Sequence, residues 1–240
     1  MNLSDPTSAV TSTLDGPVLA VLALAGKPLT VSEVAGNAVR GSEIGIRKSL
    51  GRLVAQGIVT STELGNVRVY NLNRDHVAAK VAFDLAGLRS TIWQRTAREI
   101  EKWSVRPLYA SVFGSAARQD GDTQSDIDLL LVRPPTLPEL NAAQKSKSVM
   151  ETLGMWTEVI TTRVMSEANI KKWDTSVDQM HDLMRRWTGN SLQVVNLTAI
   201  EWSELRRKKS TIYRNIRRDE VRLYDEFGPT TYRYPKGENG

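Results

Sequence analysis

Ser125–Val132 reads SDIDLLLV, and its apolar run Leu129–Val132 demands a buried strand. Two aspartates, Asp126 and Asp128, stand at the head of that run. Residues i and i+2 of a strand share a face, so both carboxylates aim the same way while Ile127 faces the other. Like charges held that close repel unless a cation sits between them. Mg²⁺ suits the position because it is hard, prefers oxygen and partners phosphates. Ten residues separate Asp126 from Ser115 upstream. There RPLYASVF alternates like a strand ending at Phe113, Gly114-Ser115 makes a tight turn, and AARQ begins a helix. Such a junction gathers free backbone N–H groups and the positive end of a helix dipole, which suits a phosphate. Ser115 adds a hydroxyl donor, and Arg118, a turn further on, adds a cation.

The chain has 240 residues, enough for one large domain or two smaller ones. It contains no cysteine, which excludes disulfides, thiolate zinc sites and cysteine nucleophiles and fits a reducing cytoplasm. Two histidines, His76 and His181, cannot build a histidine-rich metal site alone. The net charge of +5 permits contact with nucleic acid or nucleotides without demanding it. Pro17–Ala25, PVLAVLALA, is too short to span a bilayer. Before it come Asp5 and Asp15 and no Lys or Arg, unlike the positive start of a secretory signal. A cytoplasmic protein without a membrane partner is therefore expected.

Residues 1–15 are polar and read as a flexible arm. Pro17–Leu24 is helix-compatible, with Gly26 placed to stop it. Thr30 with Glu33 forms a capping-box pattern before VSEVAGNAV. Ser42 caps EIGIRKSLGRLVAQG, where Ile46, Leu50, Leu53 and Val54 share one helical face and Gly57 ends the run. Ile58–Glu63 and Asn66–Leu72 then read as a hairpin. This order, carried by SEIGIRKSLGRLVAQGIVTSTELGNVRVYNLN, resembles the winged helix-turn-helix family over residues 16–73. The resemblance implies that Ser42–Gln56 is a recognition helix. Ser42, Arg47, Lys48 and Arg52 would then meet DNA, with Arg68 on the wing. Residues 1–72 hold six basic side chains (Lys27, Arg40, Arg47, Lys48, Arg52, Arg68) against five acidic ones (Asp5, Asp15, Glu33, Glu43, Glu63). Phosphate binding wants a clearer excess, so a docking or dimerising role stands beside DNA binding.

Residues 74–104 read as one long amphipathic connecting helix, with Val77, Val81, Leu85, Leu88, Ile92 and Ile100 at helical spacing. That stripe is core or the seam of a homodimer. In the next domain, residues 105–228, Gly-Ser, ten residues and Asp-x-Asp heading an apolar strand resemble the polymerase β-like nucleotidyltransferase superfamily, its small minimal members in particular. The resemblance implies an α/β (α+β) nucleotidyltransferase fold with a mixed sheet flanked by helices. Gly114, Ser115 and Arg118 would bind the triphosphate, and Asp126 and Asp128 would hold Mg²⁺. The family adds a third carboxylate on a later strand as general base. Two positions compete for it. Leu192–Leu197 is the later strand in the usual order, and it puts Gln193 there. Met155–Val164, MWTEVITTRV, is also strand-like and offers Glu158 as the catalytic acid. If Gln193 holds the position, residues of about 136–170 are an added segment.

Ala199–Tyr224 alternates basic and apolar residues and reads as a solvated basic helix closing the domain, with a face that flanks the nucleotide or contacts RNA or DNA as the alternative. The tail 229–240 reads as flexible. The expected activity is Mg²⁺-dependent transfer of a nucleoside monophosphate from a nucleoside triphosphate, ATP foremost, to a hydroxyl of a protein, an RNA or a small molecule. The alternative is a DNA-binding regulator that senses a nucleotide without turning it over.

Overall fold

The computed structural model describes residues 1–154 and 156–228. It falls into two compact units, Met1–Thr91 and Ile92–Gly240. Both are mixed α+β, and each carries its own sheet.

Unit 1 is built as α1 (Asp15–Leu24), β1 (Leu29–Thr30), α2 (Val31–Asn37), α3 (Glu43–Ala55), β2 (Val59–Leu64) and β3 (Val67–Leu72). The local signals act where they stand. The Thr30 hydroxyl accepts from the Glu33 N–H at 3.2 Å, and the Glu33 carboxylate accepts from the Thr30 N–H at 2.8 Å. The Ser42 hydroxyl accepts from the Gly45 N–H and opens α3. Gly65, at φ +62°, turns the hairpin in which Val59 faces Leu72 and Leu64 faces Val67. The sheet order is β1-β3-β2. Ile46, Leu50 and Leu53 of α3 pack with Val18, Leu22, Val34 and Leu72 into one apolar core.

Residues 1–15 are not the flexible arm that their composition suggests. Leu3 is fully buried, Asp5 is 4% exposed, and Pro6–Ala9 forms a 3₁₀ turn. Arg40 holds the Asp5 carboxylate and donates to the carbonyls of Ser12 and Thr13. Arg89 donates to the carbonyls of Leu3 and Ser4. The partners lie 35 and about 86 positions away along the chain, so no local pattern announces them.

The long helix α4 (Ala79–Glu101) starts later than residue 74. The preceding segment is held in turns instead: Asn73 accepts from the Asp75 N–H and donates to the Gly57 carbonyl, and His76 Nδ1 accepts from the Ala78 N–H. Of its expected stripe, Leu85, Ile92 and Ile100 are buried, whereas Val77 and Val81 are 97% and 52% exposed.

Unit 2 continues with β4 (Tyr109–Phe113), α5 (Gly114–Arg118), β5 (Ile127–Arg133), α6 (Leu137–Gln144), α7 (Lys147–Leu153) and α8 (Trp156–Thr162). Then come α9 (Glu167–Thr188), β6 (Leu192–Thr198), α10 (Ala199–Arg207), α11 (Thr211–Asp219) and β7 (Val221–Asp225). Its sheet runs β6-β5-β4-β7, with β5 and β6 parallel and β4 antiparallel to both β5 and β7. Ile127 and Leu129–Val132 are fully buried, as an uninterrupted apolar run requires of an inner strand. On one face Tyr109, Leu130 and Val132 pack with Leu140, Leu153, Ile160, Trp202 and Ile216 of the helices.

Two readings of this unit are corrected. Where the sequence suggests a strand over Met155–Val164, the described part Trp156–Thr162 is helical, because Trp156, Val159 and Ile160 recur at helical spacing and turn together onto the core. The added segment of about 136–170 thus supplies α6, α7 and α8 as a cover for the sheet. Ala199–Tyr224 is likewise not one basic helix. It makes α10, α11 and the edge strand β7. The expected tail, 229–240, lies outside the described residues. Among the described residues no helix is long and apolar enough to cross a membrane.

Candidate functional site

The site grows from the junction of β4 and α5. Phe113 ends β4 in extended conformation, and Gly114 takes φ +71°. In the antiparallel register Asp128 lies directly across from Phe113. Its carboxylate therefore comes down on Gly114. A Cβ at Gly114 would overlap Asp128 Oδ2 and stand 3.2 Å from its Cγ. Glycine is needed here twice over, for its dihedral and for the bare surface under the carboxylate. Asp126 precedes β5 by one residue and stands two positions before Asp128, on the same face. Burial raises the Asp128 carboxyl above its ordinary range, the Asp126 charge raises it further, and Arg118 opposes part of the rise.

Gln193 is the residue that β6 sets beside the aspartates. In the parallel pair β5–β6 it faces Asp128, and its Nε2 donates to Asp126 Oδ2 at 3.4 Å. Glu158 is elsewhere: it is exposed on α8, outside the sheet. Among the described residues no three His, Cys, Asp or Glu side chains cluster closely enough to hold a metal ion. Glu158 thus does not complete a carboxylate triad with the two aspartates.

Arg118 is placed differently from its expected phosphate role. Its Nε donates to Asp120 at 3.0 Å, and its Nη1 donates to Asp219 at 2.9 Å. Asp219, the last residue of α11, also takes two hydrogen bonds from Arg218. These guanidiniums hold the Asp219 carboxyl well below the usual carboxylate range. The Ser115 side of the turn is half-buried beside Gly114.

Two further residues shape this site and were not singled out from the sequence. Asn190 is 2% exposed, and its Nδ2 donates to the carbonyl of Ser125 at 3.0 Å. It ties the end of α9 to the loop that delivers Asp126. In the sequence Gly189-Asn190 reads only as a helix stop. Nothing local tied Asp219 to the turn, since Arg118 lies 101 positions away and only its neighbour Arg218 is close in sequence.

In unit 1 the expected DNA-contacting residues run along α3, from its Ser42 cap to Arg52 in its last turn, with Arg68 on the hairpin. Arg47 pairs with Glu43 at 3.2 Å, Arg52 with Asp15 at 2.6 Å, and Arg68 with Glu63 at 2.7 Å. Ser42 serves as the cap of α3. Lys48 is exposed and pairs with no carboxylate among the described residues. Arg47 and Arg68 border a shared cavity of 620 Å³ together with Val31, Asn66 and Val67. No protein-family profile, curated protein or solved structure matches the chain.

Proposed function

We propose that residues 105–228 form a nucleotidyltransferase-type domain. It binds a Mg²⁺–nucleoside triphosphate, ATP foremost, and transfers the nucleoside monophosphate to an acceptor hydroxyl of a protein, an RNA or a small molecule. The observation that carries this reading is the seating of the Asp128 carboxylate on Gly114. It brings a glycine turn and a pair of carboxylates to one point. Two carboxylates without a third acid suit an ion that arrives with phosphate oxygens of its own rather than one caged by protein. Asp126 and Asp128 would hold that ion, and the chemistry it supplies there is neutralisation of developing phosphate charge. The Gly114-Ser115 turn orients the triphosphate. The acceptor oxygen forms its bond to the α-phosphorus, the bond to the leaving pyrophosphate oxygen breaks, and the hydroxyl proton passes to solvent water. The Gln193 amide cannot take that proton.

Gln193 also favours a second reading, in which the same site holds a nucleotide without turning it over. One substitution separates the two. Gln193→Glu sets a carboxylate where the amide now meets Asp126. With labelled ATP and Mg²⁺ it is expected to raise transfer by about 10²-fold, within the range of a general base. A wild type that transfers slowly and is accelerated supports the transferase. A wild type that binds without transfer, and gains transfer in Gln193→Glu, supports the sensor. Absence of MgATP binding in both proteins removes both readings.

Unit 1 runs helix, short strand, two helices and a hairpin, an order that supports reading it as a winged helix-turn-helix domain with α3 as the recognition helix. Its candidate cations number four (Arg47, Lys48, Arg52, Arg68), and three of them already face a carboxylate. The salt dependence of duplex DNA binding is thus expected to be shallow, with a log–log slope no steeper than about −4. Lys48→Ala should flatten it by about 1. Binding to duplex DNA that is unchanged in Lys48→Ala and Arg47→Ala would remove α3 as the contacting helix.

A further inference from the structure

Unit 2 holds a second cavity, of 410 Å³, against α10, α11 and β7. Its wall is aromatic. Tyr109 stacks on Trp202 with ring centres 6.1 Å apart, and Tyr213 leans on Trp202 at 5.0 Å. Trp156 and Phe227 border the same space. Three guanidiniums surround it, from Arg206, Arg217 and Arg222. Arg217 donates to the Tyr109 phenol oxygen at 3.1 Å and pairs with Glu220. Arg222 lies 5.6 Å from the centre of the Tyr109 ring and pairs with Asp225 at 3.1 Å.

The charges leave a remainder. Glu220 and Asp225 answer two of the three arginines. Arg206 is exposed, donates to the Thr152 carbonyl, and pairs with no carboxylate among the described residues. Tyr109 adds no negative charge, since burial foremost, and then Glu220, push its phenol above the ordinary range. A cavity of this size matches small-ligand sites. Tyr109 and Trp202 are buried against each other, so the ring surfaces open to a planar heterocycle are those of Trp156, Tyr213 and Phe227. A guanidinium without a carboxylate partner suits a phosphate.

The cavity is separate from the aspartate pair. On β4, Tyr109 pairs with Val132 whereas Phe113 pairs with Asp128. Four residues of strand put the two places roughly 13 Å apart. We infer that this cavity is a site for a heteroaromatic monophosphate, in the simplest case a nucleoside 5′-monophosphate, with its ring against the aromatic wall and its phosphate on Arg206. The site stands independently of the activity proposed for Asp126 and Asp128.

The test is calorimetric titration of the full chain with AMP in excess EDTA, which takes Mg²⁺ out of play. Saturable binding is expected. Arg206→Gln, at an exposed position, should weaken it between about 10- and 100-fold, the effect of one charge-assisted hydrogen bond. Adenosine alone and inorganic phosphate alone should each bind at least about 10-fold more weakly than AMP. The joint Asp126→Asn/Asp128→Asn variant should bind AMP as the wild type does. The inference is overturned by a lack of saturable binding or by equal affinity in Arg206→Gln. It is also overturned by inorganic phosphate binding as tightly as AMP, or by loss of binding in the double asparagine variant, which would place AMP at the aspartates.

Discussion

Asp126→Asn and Asp128→Asn are each expected to remove MgATP binding while leaving the chain folded. Substituting a residue one shell out from a metal commonly costs 10–100-fold, and a direct ligand should cost on the order of 10²-fold or more. Thermal denaturation shows it without a known acceptor. MgATP at about 100 times its dissociation constant stabilises a protein by about 2.7 kcal/mol. That corresponds to a midpoint shift of about 5–10 °C for a unit of this size. The shift should vanish in both variants.

Asp128→Asn should carry a second signature, in the absence of ligand. In the folded chain burial and the Asp126 charge raise the Asp128 carboxyl above its ordinary range. The folded state then binds that proton more readily than the unfolded chain does. Ionised Asp128 therefore opposes folding at neutral pH, and the opposition fades as pH falls through the raised value. Asp128→Asn is expected to raise the ligand-free midpoint at pH 7, with a gain that shrinks in acid. A variant that loses both the MgATP shift and ligand-free stability would mean that Asp128 supports the fold rather than a ligand.

Gly114→Ala is expected to destabilise unit 2 strongly. The left-handed backbone at φ +71° costs an alanine about 1–2 kcal/mol. The added Cβ meets the Asp128 carboxylate, and overpacking of this kind costs about 1–3 kcal/mol more. The sum, about 2–5 kcal/mol, should lower the midpoint of unit 2 by roughly 5–15 °C. It should also abolish the MgATP shift, because the carboxylate has to move. Gly65→Ala is the control: its φ is +62°, and nothing lies within 4 Å of the added atom. It should show the backbone part alone. In Gly114→Ala/Asp128→Ala the overlap is gone, so stability should partly return while MgATP binding should not. A Gly114→Ala protein as stable as the Gly65→Ala protein would mean that the contact with Asp128 is loose.

The parts of the fold legible in the sequence are those whose causes are local. Thr30 and Glu33 lie three apart and cap each other; Ser42 does the same work for α3. β5 is legible because Leu129–Val132 leaves no polar face. The aspartate pair and the glycine turn are legible for the same reason, as spacing within one stretch. What escaped depends on distant partners. Asp5 looks like a polar residue in a loose arm until Arg40 closes on it. Val221–Asp225 hides among charges because an edge strand buries little, here Leu223 alone at 1% exposure. Val159, Ile160, Thr161 and Thr162 are β-branched and suggest a strand, but the spacing from Trp156 to Ile160 decides for a helix. Arg118 follows the same rule: its place beside the turn was readable, and its engagement by Asp219 was not.

The parallel pairing of β5 with β6 sets an order of events for the growing chain. Asp126 and Asp128 lie about 65 residues ahead of the strand and the asparagine that fix their surroundings, Gln193 and Asn190. Contacts of such long sequence separation close late, after the loop entropy between them has been met. During synthesis the two carboxylates leave the ribosome on a strand with an open edge. Gly114 and β4 are already made by then, but Gln193 and Asn190 arrive only after α6 to α9 have formed and β6 has docked. A chain truncated before residue 190 would therefore keep the SDID sequence and lack the Gln193 and Asn190 contacts that surround it in the full fold.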